Sequence, residues 1–381
     1  MQIVFWFSFC LIFFVYFVYP LSVLFMAKVS GKKTLKESIT PPLSLVIPIH
    51  NEEKVIRDRI ENALVLAYPR DKLEIIFALD GCTDKTKDII SSYNDLRIRV
   101  IDYKERAGKV ATLNKTVPQA KGEIIVFSDA NTIHTLDTLE KLARNFADPQ
   151  VGCVCGKLNY TDTQSTLVSK GENLYWRYEH FIKKQESRLG KLLITNGSIQ
   201  AVRKEFYPYP DPEIADDLSI PILIRAKGYK VLYEPKANVY EVATQSIKEE
   251  FSQKVRIVSQ GFKATIKLWN TLFQLGAFGA FQFFVHKLLR WMIFLFLILI
   301  LIANAFLTEI PFYRHTLTIQ AIFYLFALIG FFLRKKSKIR IFYIPFYFCL
   351  VNVASMVALY RFFTNGETRM WEKAHTTRNR T

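Results

Sequence analysis

The chain has 381 residues, half of them hydrophobic, with a formal net charge of +17 at pH 7 and a mean hydropathy of +0.13. That is too apolar for an ordinary soluble protein and too polar for a pure membrane bundle. The basic excess lacks the stripe with aromatic or helix-turn-helix context that marks nucleic-acid binding, so no nucleic-acid partner is expected.

The apolar residues are concentrated at the two ends. Residues 3–26 carry no charge and are long enough to cross a bilayer as one helix of about 20 residues. With no basic stretch ahead of them, they are expected to form an uncleaved anchor over 1–27. Lys28, Lys32, Lys33 and Lys36 follow in a linker, 28–42, closed by Pro41-Pro42. Such an excess beside a span marks the cytoplasmic side, so the amino terminus falls outside and the next domain inside.

Residues 43–49 read as a buried strand stopped by His50-Asn51. Residues 52–67 read as a helix, with Val55, Ile56, Ile60, Ala63 and Leu64 at helical spacing. A strand over 73–79 stops at Asp80-Gly81, and a helix follows over 83–93 with Thr83 as its N-cap. A strand at 98–101, a helix at 109–120 and a strand at 124–127 complete the regular part, which ends on Asp129-Ala130-Asn131. Strands alternating with helices imply right-handed crossovers and a parallel sheet whose polar strand ends line one crevice. After Asp148-Pro149 the pattern loosens. A strand at 151–158 and a polar, aromatic helix at 171–190 precede Thr195-Asn196-Gly197-Ser198. Asp216-Asp217, a helix at 218–227 and a strand at 229–233 complete a globular domain over 43–245.

Amphipathic helices are expected over 246–287. The first, 246–267, is basic and is expected on the membrane surface with Phe262, Ile266 and Trp269 turned to lipid. Membrane segments follow over 288–363, at 288–307, 317–333 and 341–363; the last is weakened by Pro345, Asn352 and Arg361. Arg334-Lys335-Lys336 and Lys338 place the turn between the last two inside. Three crossings would then leave the basic tail, 364–381, outside, although it carries Arg369, Lys373, Arg378 and Arg380. Either the tail breaks the charge rule, or one segment re-enters or lies in the interface. Cys10, Cys82, Cys153, Cys155 and Cys349 read as free thiols in a reducing cytosol.

An acid at the end of a buried parallel strand is where α/β folds place ligand chemistry. Asp129 and Asn131, separated by one residue, project oxygen ligands to the same side of an extended segment. Such a pair suits Mg²⁺ or Mn²⁺ held against a diphosphate. Asp216-Asp217 offers a candidate base, since adjacent acids raise each other's pKa.

In this order the motifs resemble those of membrane-embedded family 2 glycosyltransferases, over about Ser44 to Trp269. The resemblance implies an α/β, GT-A (Rossmann-like) cytoplasmic domain with flanking transmembrane helices. Val46-Ile47-Pro48-Ile49-His50-Asn51-Glu52-Glu53 is similar to the family's first-strand motif, which implies that Glu52 approaches the nucleoside. Asp80-Gly81-Cys82-Thr83-Asp84 resembles the nucleotide motif, although Leu79 stands where the family often has an acid; Asp80 is then the base or ribose contact. Arg106-Ala107-Gly108-Lys109 resembles a Gly-Lys segment whose lysine, at a helix start, can meet a phosphate. Asp129-Ala130-Asn131 resembles the metal-binding Asp-x-Asp, with Asn131 keeping an oxygen ligand and losing a charge. Asp216-Asp217 resembles the acid pair whose second member is the catalytic base. Gln253-Lys254-Val255-Arg256-Ile257 resembles Gln-x-x-Arg-Trp, which implies donor contacts by Gln253 and Arg256; Ile257 removes a stacking surface for an acceptor sugar. Asn196-Gly197-Ser198 matches a loop near the acceptor, making Asn196 and Asp216 candidate acceptor contacts. Trp371-Glu372-Lys373, with Arg378, resembles a tail of bacterial members.

The resemblance implies an inverting, metal-dependent transferase in the plasma (cell inner) membrane. It would take a sugar from a nucleotide-sugar donor, most often UDP-linked, with Mg²⁺ or Mn²⁺ as cofactor. The acceptor would be lipid-linked or a polysaccharide, and the partners membrane lipids and proteins of a polysaccharide assembly pathway. Two other readings stay open. One is a processive synthase that exports its polymer, for which Asn304, Gln320 and Asn352 facing inward would be hints. The other is a non-catalytic, nucleotide-sugar-binding membrane subunit.

Overall fold

The computed structural model describes residues 1–31, 34–161, 167–244, 246–333, 340–364 and 375–378. Lys32, Lys33, Arg334, Lys335, Lys336, Lys338, Arg369, Arg380 and the Trp371-Glu372-Lys373 motif lie outside them.

Eight strands form one sheet in the order β3-β2-β1-β4-β7-β6-β8-β5. They are β1 (Leu43–Ile49), β2 (Leu73–Asp80), β3 (Ile98–Tyr103), β4 (Ile124–Ser128), β5 (Ile133–His134), β6 (Val151–Thr161), β7 (Ile199–Arg203) and β8 (Lys230–Val242). The helices are α1 (Gln2–Phe13), α2 (Tyr19–Ser30), α3 (Ile56–Leu64), α4 (Thr86–Ser91), α5 (Lys109–Thr116), α6 (Thr138–Ala143), α7 (Leu167–Arg188) and α8 (Asp216–Ala226). Then come α9 (Ile247–Lys267), α10 (Trp269–Gln274), α11 (Gly276–Phe283), α12 (Ile293–Phe306), α13 (Pro311–Phe332) and α14 (Arg340–Phe363).

The first half is parallel, as the alternation predicts: β1 pairs with β2 and β4, and β2 with β3. Every residue of β1 is buried, as expected of a strand covered on both faces. Its side chains alternate, with Leu45, Ile47 and Ile49 packing toward α3 and α6, and Val46 toward α5 and α8. The second half departs from the parallel expectation. β7 runs antiparallel to β4 and β6, with Ile199 opposite Ser128. The chain therefore turns at Thr195-Asn196-Gly197-Ser198 beside the end of β4, which brings that loop to Asp129.

Two element starts also differ. α4 begins at Thr86, not at Thr83, because the N–H groups of Thr83 and Asp84 are held by the Asn51 side chain. α3 begins at Ile56, after a turn in which the Glu52 carbonyl accepts from the Val55 and Ile56 N–H groups.

Among the described residues, Gln2–Ser30, Pro311–Phe332 and Ile341–Phe363 are long and apolar enough to cross a membrane. The expected span at 288–307 is not one straight helix: Gly276–Leu289 and Ile293–Phe306 meet at 61°. A π-helical segment, Phe284–Leu289, precedes the bend, and hydropathy does not reveal such a segment. The N-terminal span has another at Phe14–Val18.

α14 runs alongside α9 in the same direction. Tyr343, Phe346, Tyr347 and Leu350 pack with Ile247 and Phe251, while Ala354, Ala358 and Phe362 pack with Val255, Val258 and Phe262. Phe262 is therefore not turned to lipid. It is 5% exposed, against Trp291 and Phe362, whereas Ile266 and Trp269 are exposed as expected.

Candidate active site

The parallel pairing of β1, β2 and β4 brings their C-terminal ends to one edge, where the loops are tied together. Asn51, at φ 53°, adopts the left-handed conformation that asparagine tolerates better than most residues. Its Oδ1 accepts from the N–H groups of Thr83 (2.7 Å) and Asp84 (3.3 Å). The Asp80 carboxylate accepts from the N–H groups of Ala107 (2.6 Å) and Gly108 (2.9 Å). Both Asp80 oxygens thus hold the Gly-Lys loop in place. Gly108, at φ 91°, starts α5 with a conformation that side chains rarely adopt, and Lys109 takes the first helical position.

Lys109 is the centre of the site. Its Nζ lies 2.8 Å from Asp129 Oδ1 and 3.3 Å from Asp216 Oδ2, and donates to the Gly197 carbonyl at 2.9 Å. Burial alone would lower its pKa, but Asp129 and Asp216 outweigh it and hold the ammonium above the ordinary lysine value. Asp216 and Asp217 are the first two residues of α8 and make no side-chain cap there. Asp216 accepts from Gln200 Nε2 at 2.9 Å. The Asp217 carbonyl accepts from Thr195 N–H (2.9 Å) and Thr195 Oγ1 (3.0 Å). Burial pushes both carboxyls up. Lys109 pulls Asp216 back while Asp217 and Asp129 push it further; Lys109, Lys183 and Lys287 pull Asp217 back. Both stay raised above the ordinary carboxylate value.

The cavity wall at Thr195-Asn196 contains a residue that sequence reasoning missed. Lys183, on α7 and 3% exposed, donates to the Thr195 carbonyl (2.9 Å) and to Asn196 Oδ1. Asn196 Nδ2 donates to the Gly156 carbonyl (2.9 Å), so the Asn196 amide braces the loop. Glu241, on β8, was missed too. It accepts from Thr132 Oγ1 at 2.7 Å, and burial together with Asp129 raises its pKa.

Lys109, Asp129, Asn196, Asp216, Asp217, Gln253 and Arg256 all line one cavity of about 2100 Å³. Glu52, Asp80 and Asn131 do not line it. Glu52, 2% exposed, is instead gripped by Arg378, whose Nη2 and Nε lie 2.8 Å and 3.1 Å from its two oxygens. The cavity continues from Asp217 between the apolar helices, past Arg290 and Trp291 to Asn304, Gln320 and Asn352. Where it passes the two π-helical segments, Arg290 pairs with Glu179 and lies over the rings of Tyr16, Tyr175 and Tyr178.

The chain is similar to known proteins. Residues 44–208 match the model of the family described as Glycosyl transferase family 2. They form a family 2 glycosyltransferase domain. Over 322 residues the chain is 26% identical to the probable glycosyltransferase YdaM of Bacillus subtilis, covering 79% of this chain and 74% of that protein. It is also 26% identical over 231 residues to the poly-beta-1,6-N-acetyl-D-glucosamine synthase of Staphylococcus aureus (strain COL), and spans 56% of that protein's length. Among solved structures it resembles the mannosyltransferase PcManGT of Pyrobaculum calidifontis, described in complex with GDP-Man and Mn²⁺. The TM-score is 0.68 at 19% identity, over 94% of this chain and 99% of that one. The glycosyltransferase domain thus has the GT-A architecture, with apolar helices at both ends of the chain, and the protein is a glycosyltransferase.

Proposed function

We propose that the protein moves a sugar from a nucleoside-diphosphate donor to a saccharide acceptor, lipid-linked or polymeric, at the cytoplasmic face of a membrane, with inversion at the sugar carbon. The observation that carries this is the convergence of Lys109, Asp129, Asp216 and Asp217 on one cavity. The acceptor hydroxyl attacks the anomeric carbon, the bond to the diphosphate breaks, and Asp217 takes the hydroxyl proton. Lys109 and Arg256 face the leaving diphosphate with positive charge. The sequence pattern and the GDP-Man in PcManGT support a nucleoside-diphosphate donor, with UDP as the first candidate.

A divalent cation fits the donor side. Asp129 supplies a hard oxygen at the cavity wall, and the structure already sets a cation there, the Lys109 ammonium, against Asp129 and Asp216. Among the described residues, no group of three His, Cys, Asp or Glu side chains could hold a metal ion by itself. Mg²⁺ is commonly bound by one or two carboxylates together with substrate phosphates. Asp129 would hold it together with the donor phosphates, and it would supply charge against the leaving diphosphate; Asn131, expected as the second ligand, is buried and off the cavity wall.

The tail supports an inside location. Arg378 reaches Glu52, and α14 follows α9, so 375–378 lie on the side of the glycosyltransferase domain. If the bent pair and α13 cross and α14 stays in the interface, every basic segment falls inside, consistent with the charge rule.

A second reading, processive synthesis with export, gains from the cavity. Asn304, Gln320 and Asn352 all line its far end, and Gln320 and Thr316 bond Asn304. The test is donor turnover by membranes containing the protein, with radiolabelled UDP- and GDP-sugars and Mg²⁺ or Mn²⁺, beside Asp217→Asn. Consumption of one donor, absent in the variant, is expected, and product size separates single addition from a polymer. Failure of both UDP and GDP to bind would overturn the donor-site assignment.

A further inference from the structure

We infer that Lys109 is a built-in counter-ion that keeps divalent cations out of the donor site until a nucleoside diphosphate arrives. The inference rests on the donor-site reading above. Four acids, Asp129, Asp216, Asp217 and Glu241, gather at this part of the cavity, and Lys109 pairs with Asp129 and Asp216 among them. Its three oxygen contacts, to Asp129 at 2.8 Å, Asp216 at 3.3 Å and the Gly197 carbonyl at 2.9 Å, join the donor strand, the acid pair and the acceptor loop.

The contacts leave little freedom. Gly108 fixes the start of α5, and the Asp80 carboxylate pins the two N–H groups before Lys109. Gly197 is open enough for the ammonium: a Cβ there would lie 3.1 Å from Nζ. A bare cation entering beside Asp129 must break the Lys109 pair and leave the ammonium buried next to a second positive charge. A diphosphate removes that cost, because its oxygens give Lys109 a new partner and complete a metal shell that the described side chains do not complete alone. Cation and nucleotide then bind with positive coupling, and by linkage each raises the other's affinity by the same factor. Lys109 also holds Gly197 against the acid pair while the donor is absent.

The experiment is Mn²⁺ binding to the full-length protein in detergent, read by the electron paramagnetic resonance of free Mn²⁺, alone and with saturating UDP or GDP. Wild type, Lys109→Met and Lys109→Gln are compared, the glutamine variant serving if the methionine variant does not fold. Wild type is expected to bind Mn²⁺ alone at least about tenfold more weakly than with nucleotide. Either variant is expected to bind Mn²⁺ alone about tenfold more tightly than wild type, and to lose most of the coupling to nucleotide. If the variants bind Mn²⁺ alone no better than wild type while nucleotide still promotes binding, the counter-ion role is wrong and the donor site stands. If Mn²⁺ binds no protein even with UDP or GDP, the donor-site reading fails and the inference with it.

Discussion

Replacing Lys183 with methionine separates its structural role from its electrostatic one. Lys183 is 3% exposed, and its ammonium bonds the Thr195 carbonyl and Asn196 Oδ1, while Thr195 bonds the Asp217 backbone. Lys183→Met leaves these buried oxygens without that donor, at a cost of about 1–3 kcal/mol each. It also removes a positive charge that pulls the raised pKa of Asp217 down. Without that charge the carboxyl moves further up, since an opposite charge nearby favours the ionised form. The base works ionised, so activity falls as pH drops through its pKa. Raising that pKa moves the acid limb of the profile to higher pH. The assay is kcat/KM for the donor sugar between pH 5 and 9, beside Lys183→Arg, which keeps the charge. The expected result is an acid limb moved to higher pH in Lys183→Met and near wild type in Lys183→Arg. A uniform loss with an unmoved limb would show that Lys183 only braces the loop.

Asp217→Asn is expected to lower transfer by about 10²–10⁴ while UDP or GDP binding, measured by calorimetry, stays within about twofold. Gly261→Ala is expected to lower the melting temperature, since its Cβ would fall 2.3 Å from the Trp291 ring; overpacking costs about 1–3 kcal/mol. Trp291→Phe should recover much of that loss in the double variant. Arg378→Ala is expected to raise the donor KM and speed proteolysis of the tail, because a bidentate partner of the buried Glu52 is gone. Asn304→Leu with Gln320→Leu should shorten the product if a polymer occupies the cavity, and leave a single addition unchanged.

The strand ends were legible because continuous apolar runs stop at polar residues, which is how β1, β2 and β4 came to be placed with Asp80 and Asp129 at one edge. The acid pair was legible as a pair, yet its neighbours were not. Lys183 lies in a helix that reads as polar and aromatic, and what distinguishes it is contact with a loop twelve residues on. Glu241 sits at the end of β8, which runs well beyond the predicted strand. The motif marks Asp80 as a candidate donor contact, and only the folded loop reveals that its two oxygens also accept from Ala107 and Gly108. The bend before α12 and the burial of Phe262 depend on the π-helical turn and on Trp291, which neither hydropathy nor a helical wheel encodes.

One apolar cluster runs across the boundary expected near residue 245. Leu193, Ile214, Leu218 and Ile222 pack with Ala264, Leu268, Leu272 and Phe283. A fragment cut there would bare this face to water and aggregate. Leu218 follows Asp217 directly, so the first turn of α8 rests on helices that sit against the apolar spans. Bilayer thickness and lipid composition are therefore expected to act on Asp217, the proposed base. Turnover measured in short-chain detergent, nanodiscs and native membranes should differ for that reason, with the acid pair as the point where the surrounding lipid is felt.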